Sequence, residues 1–176
     1  LDTDERRRFA QVSHEYLIEQ VQHQAVSSNQ SDITLNFNHP VKELVWVGTT
    51  GSETGLRKAM DATECLLKLN GHDRFSSRPL SYFTQTQVWQ HHTGTPVACD
   101  TMPVAAGAGN ASVNEIAVYS FALKPEEHQP SGTCNFSRID NAQLKLTSQT
   151  AGLNIYAVNY NVLRIMSGMG GLAYSN

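Results

Sequence analysis

Histidine residues are the side chains through which this sequence could most readily bind a metal ion. The metal-binding motifs in which they could take part are incomplete. The run His14–Ile18 begins like the His-Glu-x-x-His motif of zinc proteases, but Ile18 stands where the second histidine is needed. His91 and His92 are adjacent, so their side chains diverge on a helix or a strand. The His-x-His pair of a cupin-type metal enzyme does not occur in the sequence. We therefore predict no metal-ligating residue.

Nucleophiles and phosphate-binding loops are incomplete in the same way. In the run 51–55, Glu53 occupies the position of the nucleophilic serine in G-x-S-x-G. The glycine-rich run 168–171 is not followed by the Lys-Ser/Thr pair of a phosphate loop. Cys134 lies close to His128, a spacing compatible with a reactive thiolate pair, although a cysteine in an apolar strand usually serves packing. The sequence predicts no catalytic residue and no cofactor.

Aromatic residues and sequons offer two possible links to carbohydrate. Four aromatic side chains could line a sugar or partner platform, although aromatics at strand spacing more often lie in a core: Trp46, Trp89, Tyr156 and Tyr160. Three N-x-S sequons begin at Asn29, Asn110 and Asn135. Because no signal-peptide pattern precedes them, we expect these asparagines to remain unmodified. The opening residues 1–5 are typical of the interior of a longer polypeptide.

Composition places the chain among ordinary globular proteins. It has 176 residues, of which 40% are hydrophobic and 16% charged, with a formal net charge of -3. This charge offers no basic excess to a nucleic acid, and the most apolar stretch, 97–123, is too often interrupted to cross a membrane. The three cysteines, Cys65, Cys99 and Cys134, form neither a C-x-x-C pair nor a disulfide framework. We expect one domain, without nucleic-acid binding or membrane insertion.

Period-two alternation is the dominant structural signal. It predicts strands at 33–37, 41–47, 65–69, 116–123, 134–146 (as one or two strands) and 154–164. In the last of these, Tyr156, Val158, Tyr160 and Val162 share one face, and Ala157, Asn159 and Asn161 share the other. The Asn70-Gly71 pair predicts a hairpin turn, and the tail 165–174 could add an extended end.

Helical signals are fewer. The charge order of residues 4–11 predicts a helix, and Arg78-Pro79 could open a short helix that runs toward Gln90. The pattern of residues 13–22 fits either a helix or a strand. Many short strands without βα alternation predict an antiparallel sandwich or barrel, whose loops at 48–62 and 100–114 are long enough to serve as contact surfaces.

Two stretches are more specific than any motif above: residues 1–10, LDTDERRRFA, and residues 121–138, FALKPEEHQPSGTCNFSR. Together they resemble the major capsid protein of large icosahedral DNA viruses, such as phycodnaviruses and iridoviruses. The resemblance continues through the runs 14–20, 35–44 and 157–164, and so covers nearly the whole chain in order. It implies that residues 13–22 form a strand. It also implies an all-β, eight-stranded antiparallel jelly roll with short helices in its connections, the second half of a double jelly roll.

The resemblance also implies a function and partners. Residues 1–12 would be a short helical lead-in from a first jelly roll, and residues 13–176 the C-terminal jelly roll. The protein would be structural, not an enzyme, and would form homotrimeric, pseudo-hexagonal capsomers that tile the shell of a virion assembled in the host cytoplasm. Its partners would be copies of itself, neighbouring capsomers and minor capsid proteins. A jelly-roll carbohydrate-binding module is the alternative, and a jelly-roll metal enzyme is a third possibility that the missing His-x-His pair disfavours.

Overall fold

The computed structural model describes residues 1–27, 29–49, 62–94, 116–148 and 152–175. Its elements in this part of the chain are helix α1 (Thr3–Gln11), a π-helical turn (Tyr82–Thr86) continued by α2 (Gln87–His91), a 3-10 turn (Phe136–Arg138) and eleven strands. The strands are β1 (His14–Val26), β2 (Asp32–Thr34), β3 (Pro40–Thr49), β4 (Glu64–Leu69), β5 (His72–Asp73), β6 (Arg78–Pro79), β7 (Ile116–Ser120), β8 (Cys134–Asn135), β9 (Ala142–Thr147), β10 (Gly152–Met166) and β11 (Met169–Leu172).

The strands form two antiparallel sheets. Sheet A has the order β1-β10-β3-β7, with β8 beside β3 and β11 beside β10. Sheet B has the order β2-β9-β4-β5, with β6 beside β4. The first strand therefore pairs with one near the end of the chain, and the second strand does the same in the opposite sheet. This nested arrangement of a six-stranded and a five-stranded sheet in the described residues is that of a jelly roll, the fold that the resemblance implies.

The core lies between the two sheets. Sheet A contributes Leu44, Trp46 and Ile155, and sheet B contributes Leu67 and Leu144, all at most 2% exposed. Burying a side chain of this size stabilises the fold by about 1.5 to 3 kcal/mol. These residues occupy alternate positions on their strands, so a single register of each strand brings all of them inward.

Helix α1 lies against the β10–β11 hairpin. Asp2 caps its first turn in a capping box with Glu5, as a helix that begins with acidic residues requires. The amide of Gly168, in the β10–β11 turn, donates to the carbonyl of Phe9 at 3.1 Å. The helix predicted at residues 4–11 is therefore confirmed, and it is attached to the hairpin at the end of the fold.

The ambiguous segment 13–22 is a strand from His14 onward, because residues 14–22 lie within β1 and pair with β10 along their length. The hairpin turn at Asn70-Gly71 is confirmed, with both residues at positive φ. The extended tail is also confirmed, as β11. The helix toward Gln90 is confirmed, although it begins at Tyr82 and residues 78–79 form β6 instead.

Three predicted strands differ in length from the observed ones. The strand predicted at 33–37 ends at Thr34, and beyond it the amides of Asn36 and Asn38 donate to side chains of β1. The strand predicted to reach residue 123 ends at Ser120, because the amides of Phe121 and Ala122 both donate to the carbonyl of Lys42. The segment 134–146 forms two strands separated by a 3-10 turn. The long loops predicted at 48–62 and 100–114 lie largely outside the described residues.

Candidate assembly surface

Strand β10 carries apolar residues on both of its faces. Leu153, Ile155 and Ala157 point into the core between the sheets. Tyr156 and Val158 alternate with them and lie on the opposite side of sheet A, which we call the outer face. An antiparallel sheet with one solvated face normally shows polar residues there, so the composition of this face is unusual.

The apolar character extends across the neighbouring strands. Residues directly opposite each other in adjacent strands share a face, so the registers of β1, β3 and β7 identify the other members. The apolar residues of the outer face include Leu17, Val21, Val45, Val47, Ile116, Val118, Tyr156, Val158, Tyr160 and Val162.

Several of these side chains are open to solvent. Val21 is 64% exposed, Ile116 44% and Leu17 38%. Val45 and Val158 are half-buried between them. A contiguous apolar surface spread over four strands marks an interaction site in a soluble protein. The outer face of sheet A is thus a surface suited to bind another protein.

The inner side of β1 is polar instead. Gln20, Gln22 and Gln24 lie on this side, opposite Asn159 and the residues around it. Asn159 and Asn161 are fully buried and use their amides, since Gln22 Nε2 donates to Asn159 Oδ1 at 3.0 Å and Asn161 Nδ2 donates to Gln20 Oε1 at 2.9 Å. These hydrogen bonds satisfy the buried amides, so polar residues can face inward here.

One segment, residues 121–127, covers part of the outer face. It is held by Lys42, which lies where the register between β3 and β10 shifts at a β-bulge. The Lys42 ammonium donates to the carbonyl of the buried Pro125 at 2.7 Å and lies 2.7 Å from Glu19 Oε1. It also lies 5.6 Å from the centre of the Tyr160 ring. Lys42 is only 4% exposed, so a charge is buried beneath this segment with its partners in place.

The end of α2 holds the same segment from the other side. His91 Nδ1 lies 3.0 Å from the carbonyl oxygen of Leu123. Glu126 accepts from the amide of Thr93 at 3.0 Å and from its hydroxyl at 2.5 Å, and these hydrogen bonds hold the pKa of the Glu126 carboxyl below its usual range. His92 Nδ1 lies 3.1 Å from Glu126 Oε1. The two adjacent histidines therefore contact different partners, as their spacing predicts.

The rest of the stretch 121–138 is fixed by its own contacts. Ser131 Oγ accepts from the amide of Lys124 at 2.9 Å. Gly132 has φ +153°, and a Cβ there would lie 2.7 Å from the carbonyl oxygen of Phe121. Ser137 Oγ accepts from the amide of His39 at 2.8 Å. These contacts fix the backbone geometry of the stretch 121–138.

The sequence matches one protein-family model over most of its length. Residues 5–171 match the family model described as large eukaryotic DNA virus major capsid protein. The chain belongs to this family. Its relatives are structural capsid proteins, not enzymes, as the sequence predicts.

Individual relatives of the chain are also major capsid proteins. The chain is 55% identical to the major capsid protein of Pyramimonas orientalis virus, covering 100% of this chain and 47% of that protein. It is 38% identical to the major capsid protein of Paramecium bursaria Chlorella virus 1, covering 100% of this chain and 52% of that one. The chain thus spans about half the length of the capsid proteins that it matches.

Solved structures of viral capsid proteins share the fold. VP54 of PBCV-1, fitted into a cryo-EM reconstruction of the virophage Sputnik, has a TM-score of 0.76 and 37% identity, covering 100% of this chain and 55% of that one. The Faustovirus major capsid protein has a TM-score of 0.55 at 13% identity, a likeness of fold alone. The jelly-roll fold implied by the resemblance to capsid proteins is therefore correct.

The residues considered for metal and thiol chemistry are separated. His14 is on β1, with its ring 4.7 Å from that of Phe9. Burial raises the pKa of the Cys134 thiol, the opposite of what a reactive thiolate requires, and raises that of Cys65 to about 12. In the described ranges no cluster of three or more metal-ligating side chains occurs, and no helix is long and apolar enough to cross a membrane.

The four aromatic residues considered for a sugar platform do not form one surface. Trp46 is 1% exposed and packs in the core against Phe83, so the structure rules it out as a surface residue. Tyr160 is buried beneath Lys42, and Tyr156 stacks on His23 at the outer face. Trp89, on α2, is 70% exposed.

Two of the three sequons lie within the described residues. Asn29 is exposed in the β1–β2 turn, and Asn135 is an exposed residue whose Oδ1 accepts from the amide of Ser137. Asn110, Cys99 and the run 51–55 lie outside the described residues. The apolar outer face was missed by the sequence reasoning, although the alternation of Tyr156, Val158 and Val162 contained its signal.

Proposed function

We propose that the protein is a structural subunit of a virion capsid that forms pseudo-hexagonal homotrimers. In this proposal residues 13–176 are the C-terminal jelly roll of a double jelly roll, and residues 1–12 are its helical lead-in. The outer face of sheet A is the observation that carries the proposal. Because this face is apolar over four strands and partly exposed, burying it against another jelly roll removes it from water.

The length of the relatives supports the same arrangement. The chain covers about half of each relative named above, which leaves room for a second domain of similar size. Helix α1 packs on the β10–β11 hairpin, so a chain that enters through residues 1–12 approaches one end of the sandwich. In this proposal neighbouring capsomers and minor capsid proteins are the further partners, no nucleic acid is bound directly, and assembly takes place in the host cytoplasm.

The oligomeric mass of the complete polypeptide tests the proposal. Size-exclusion chromatography with light scattering should give a trimer, and negative-stain images of the peak should show a hexagonal outline. Val21→Lys places a charge on the outer face and should shift the mass from trimer toward monomer. Thr34→Lys, at an exposed position on β2 of the other sheet, is the matched control and should leave the trimer intact. A complete polypeptide that stays monomeric at high concentration would overturn the proposal.

Exposure of Trp89 keeps the carbohydrate-binding module as a second candidate. An indole that is 70% exposed on a short helix is a suitable surface for stacking on a sugar ring. Glycan-array binding that disappears in Trp89→Ala would favour this function. Absence of glycan binding by a trimeric protein would exclude it.

A further inference from the structure

The imidazole of His92 lies between two carboxylates. Its Nε2 is 3.1 Å from Glu43 Oε2, and its Nδ1 is 3.1 Å from Glu126 Oε1. The Glu43 and His92 side chains are 12% and 20% exposed, and that of Glu126 is 39% exposed. The ring therefore connects strand β3 of the sandwich to the segment 121–127.

The two contacts of the His92 ring require more protons than a neutral imidazole carries. A neutral imidazole has one N–H and can donate to one carboxylate only, so its second nitrogen would present a lone pair to the other. Glu43 Oε2 and His92 Nε2 are buried and lie 3.1 Å apart, so this contact needs a proton on one of the two atoms. The contact between His92 Nδ1 and Glu126 needs a second proton, so the cluster needs one proton beyond those of a neutral imidazole between two carboxylates.

The charges around the ring favour that additional proton. Glu43 and Lys42 approach from β3 and Glu19 from β1, while Tyr160 faces Lys42 from β10. Lys42 is already paired with Glu19. Glu126 on the covering segment adds a third carboxylate to this group of described residues. A proton held between two of the carboxylates reduces the excess of negative charge.

We propose that a proton held among Glu43, His92 and Glu126 fastens the segment 121–127 to the outer face of sheet A, and that loss of this proton as the pH rises releases the segment. The segment borders the exposed apolar surface. The clasp would therefore connect pH to assembly, a consequence that rests on the function proposed above. The clasp itself depends only on contacts within the chain.

The direction of the pH dependence follows from the two carboxyl groups. Burial raises the pKa of Glu43, so its contribution to stability is present at low pH and is lost as the pH rises through that raised value. The pKa of Glu126 is lowered, mainly by the Thr93 hydroxyl, so its contribution is lost only as the pH falls below the ordinary range of a carboxyl. The clasp is therefore closed in acidic solution, above the lowered range of Glu126, and opens as the pH rises through the raised range of Glu43.

Hydrogen exchange measured by mass spectrometry tests the clasp directly. Amides of residues 121–127, after correction for intrinsic exchange rates, should exchange at least roughly tenfold faster at an alkaline pH value than at an acidic one. Peptides from β10 serve as the internal reference and should remain protected at both values. The same measurement on Glu43→Gln should give a ratio between the two pH values close to one, because the neutral amide removes the need for the shared proton.

A matched variant separates the clasp from a general effect of charge on the segment. Glu127 forms an exposed ion pair with Lys124 on this segment, and no contact joins it to His92 in the described structure. Glu127→Gln should therefore keep the pH dependence of the wild type. A wild-type ratio near one, or an unchanged ratio in Glu43→Gln, would overturn the proposal. Failure of trimer formation would leave the exchange result intact, so the two proposals are tested separately.

Discussion

The side chain of Gln22 forms hydrogen bonds with both backbone groups of Asn38, and so takes the place of the backbone of a neighbouring strand. Its Oε1 accepts from the Asn38 amide at 3.0 Å, and its Nε2 donates to the Asn38 carbonyl at 2.7 Å. Gln24 repeats the pattern one step along β1, because it accepts from the Asn36 amide at 3.0 Å and donates to the Thr34 carbonyl at 2.7 Å. Two glutamines thus join the edge of sheet A to the segment that follows β2 of sheet B.

We expect Gln22→Ala to lower the free energy of unfolding by about 1 to 2 kcal/mol, since two backbone groups lose their partner at a partly solvated site. Urea denaturation of the variant measures this loss. Gln90→Ala removes the same side chain from an exposed position on α2 and should change stability by less than about 0.5 kcal/mol. Equal stability of the two variants would show that the glutamine bridge contributes nothing to joining the sheets.

Lys42 is the buried cation that connects three parts of the fold. Lys42→Met keeps the length and the apolar stem but removes the bonds to Glu19 and to the Pro125 carbonyl. We expect a loss of about 2 to 4 kcal/mol in the free energy of unfolding, because a carbonyl and a carboxylate then lack their partner. Faster hydrogen exchange in residues 121–127 should accompany the loss, because this segment sits directly above the ammonium.

The matched control is Lys145→Met. Lys145 forms an ion pair with Asp32 at 2.9 Å, and both side chains are well exposed, 41% and 60%. Exposed pairs of this kind contribute at most about 1 kcal/mol, and often nothing measurable. A loss in Lys42→Met no larger than that in the control would contradict a structural role for the buried lysine.

Sequence patterns predicted the fold well where a residue's partner is local or its alternation is regular. The Asn70-Gly71 turn needs positive φ at both positions, which these residues adopt readily, and the strand at 154–164 follows from period two. The resemblance decided what local pattern left open at residues 13–22. Periodicity does not show which side of a strand faces the core when both sides carry apolar residues, as in β10.

Contacts between distant residues could not be predicted in this way. The early end of β7 depends on the carbonyl of Lys42, far away in the sequence, and no propensity of Phe121 or Ala122 encodes it. The His92 cluster likewise joins residues from β3, the end of α2 and the segment 121–127. The adjacent pair His91-His92 indicated diverging side chains, but the carboxylates that one of them meets appear only when the chain is folded.

Gly132 shows how closely the stretch 121–138 is packed. A Cβ at this position would lie 2.7 Å from the carbonyl oxygen of Phe121 and 3.3 Å from Ala122 Cα, so backbone atoms would have to move. We expect Gly132→Ala to destabilise the protein by about 1 to 3 kcal/mol through this clash and the strained φ. Gly171→Ala, where a Cβ meets nothing within 4 Å, should be close to neutral in the same thermal or urea denaturation experiment. If both alanine variants unfolded at the same midpoint, the close approach of Gly132 to Phe121 would not constrain the stretch, and the backbone there would have room to adjust.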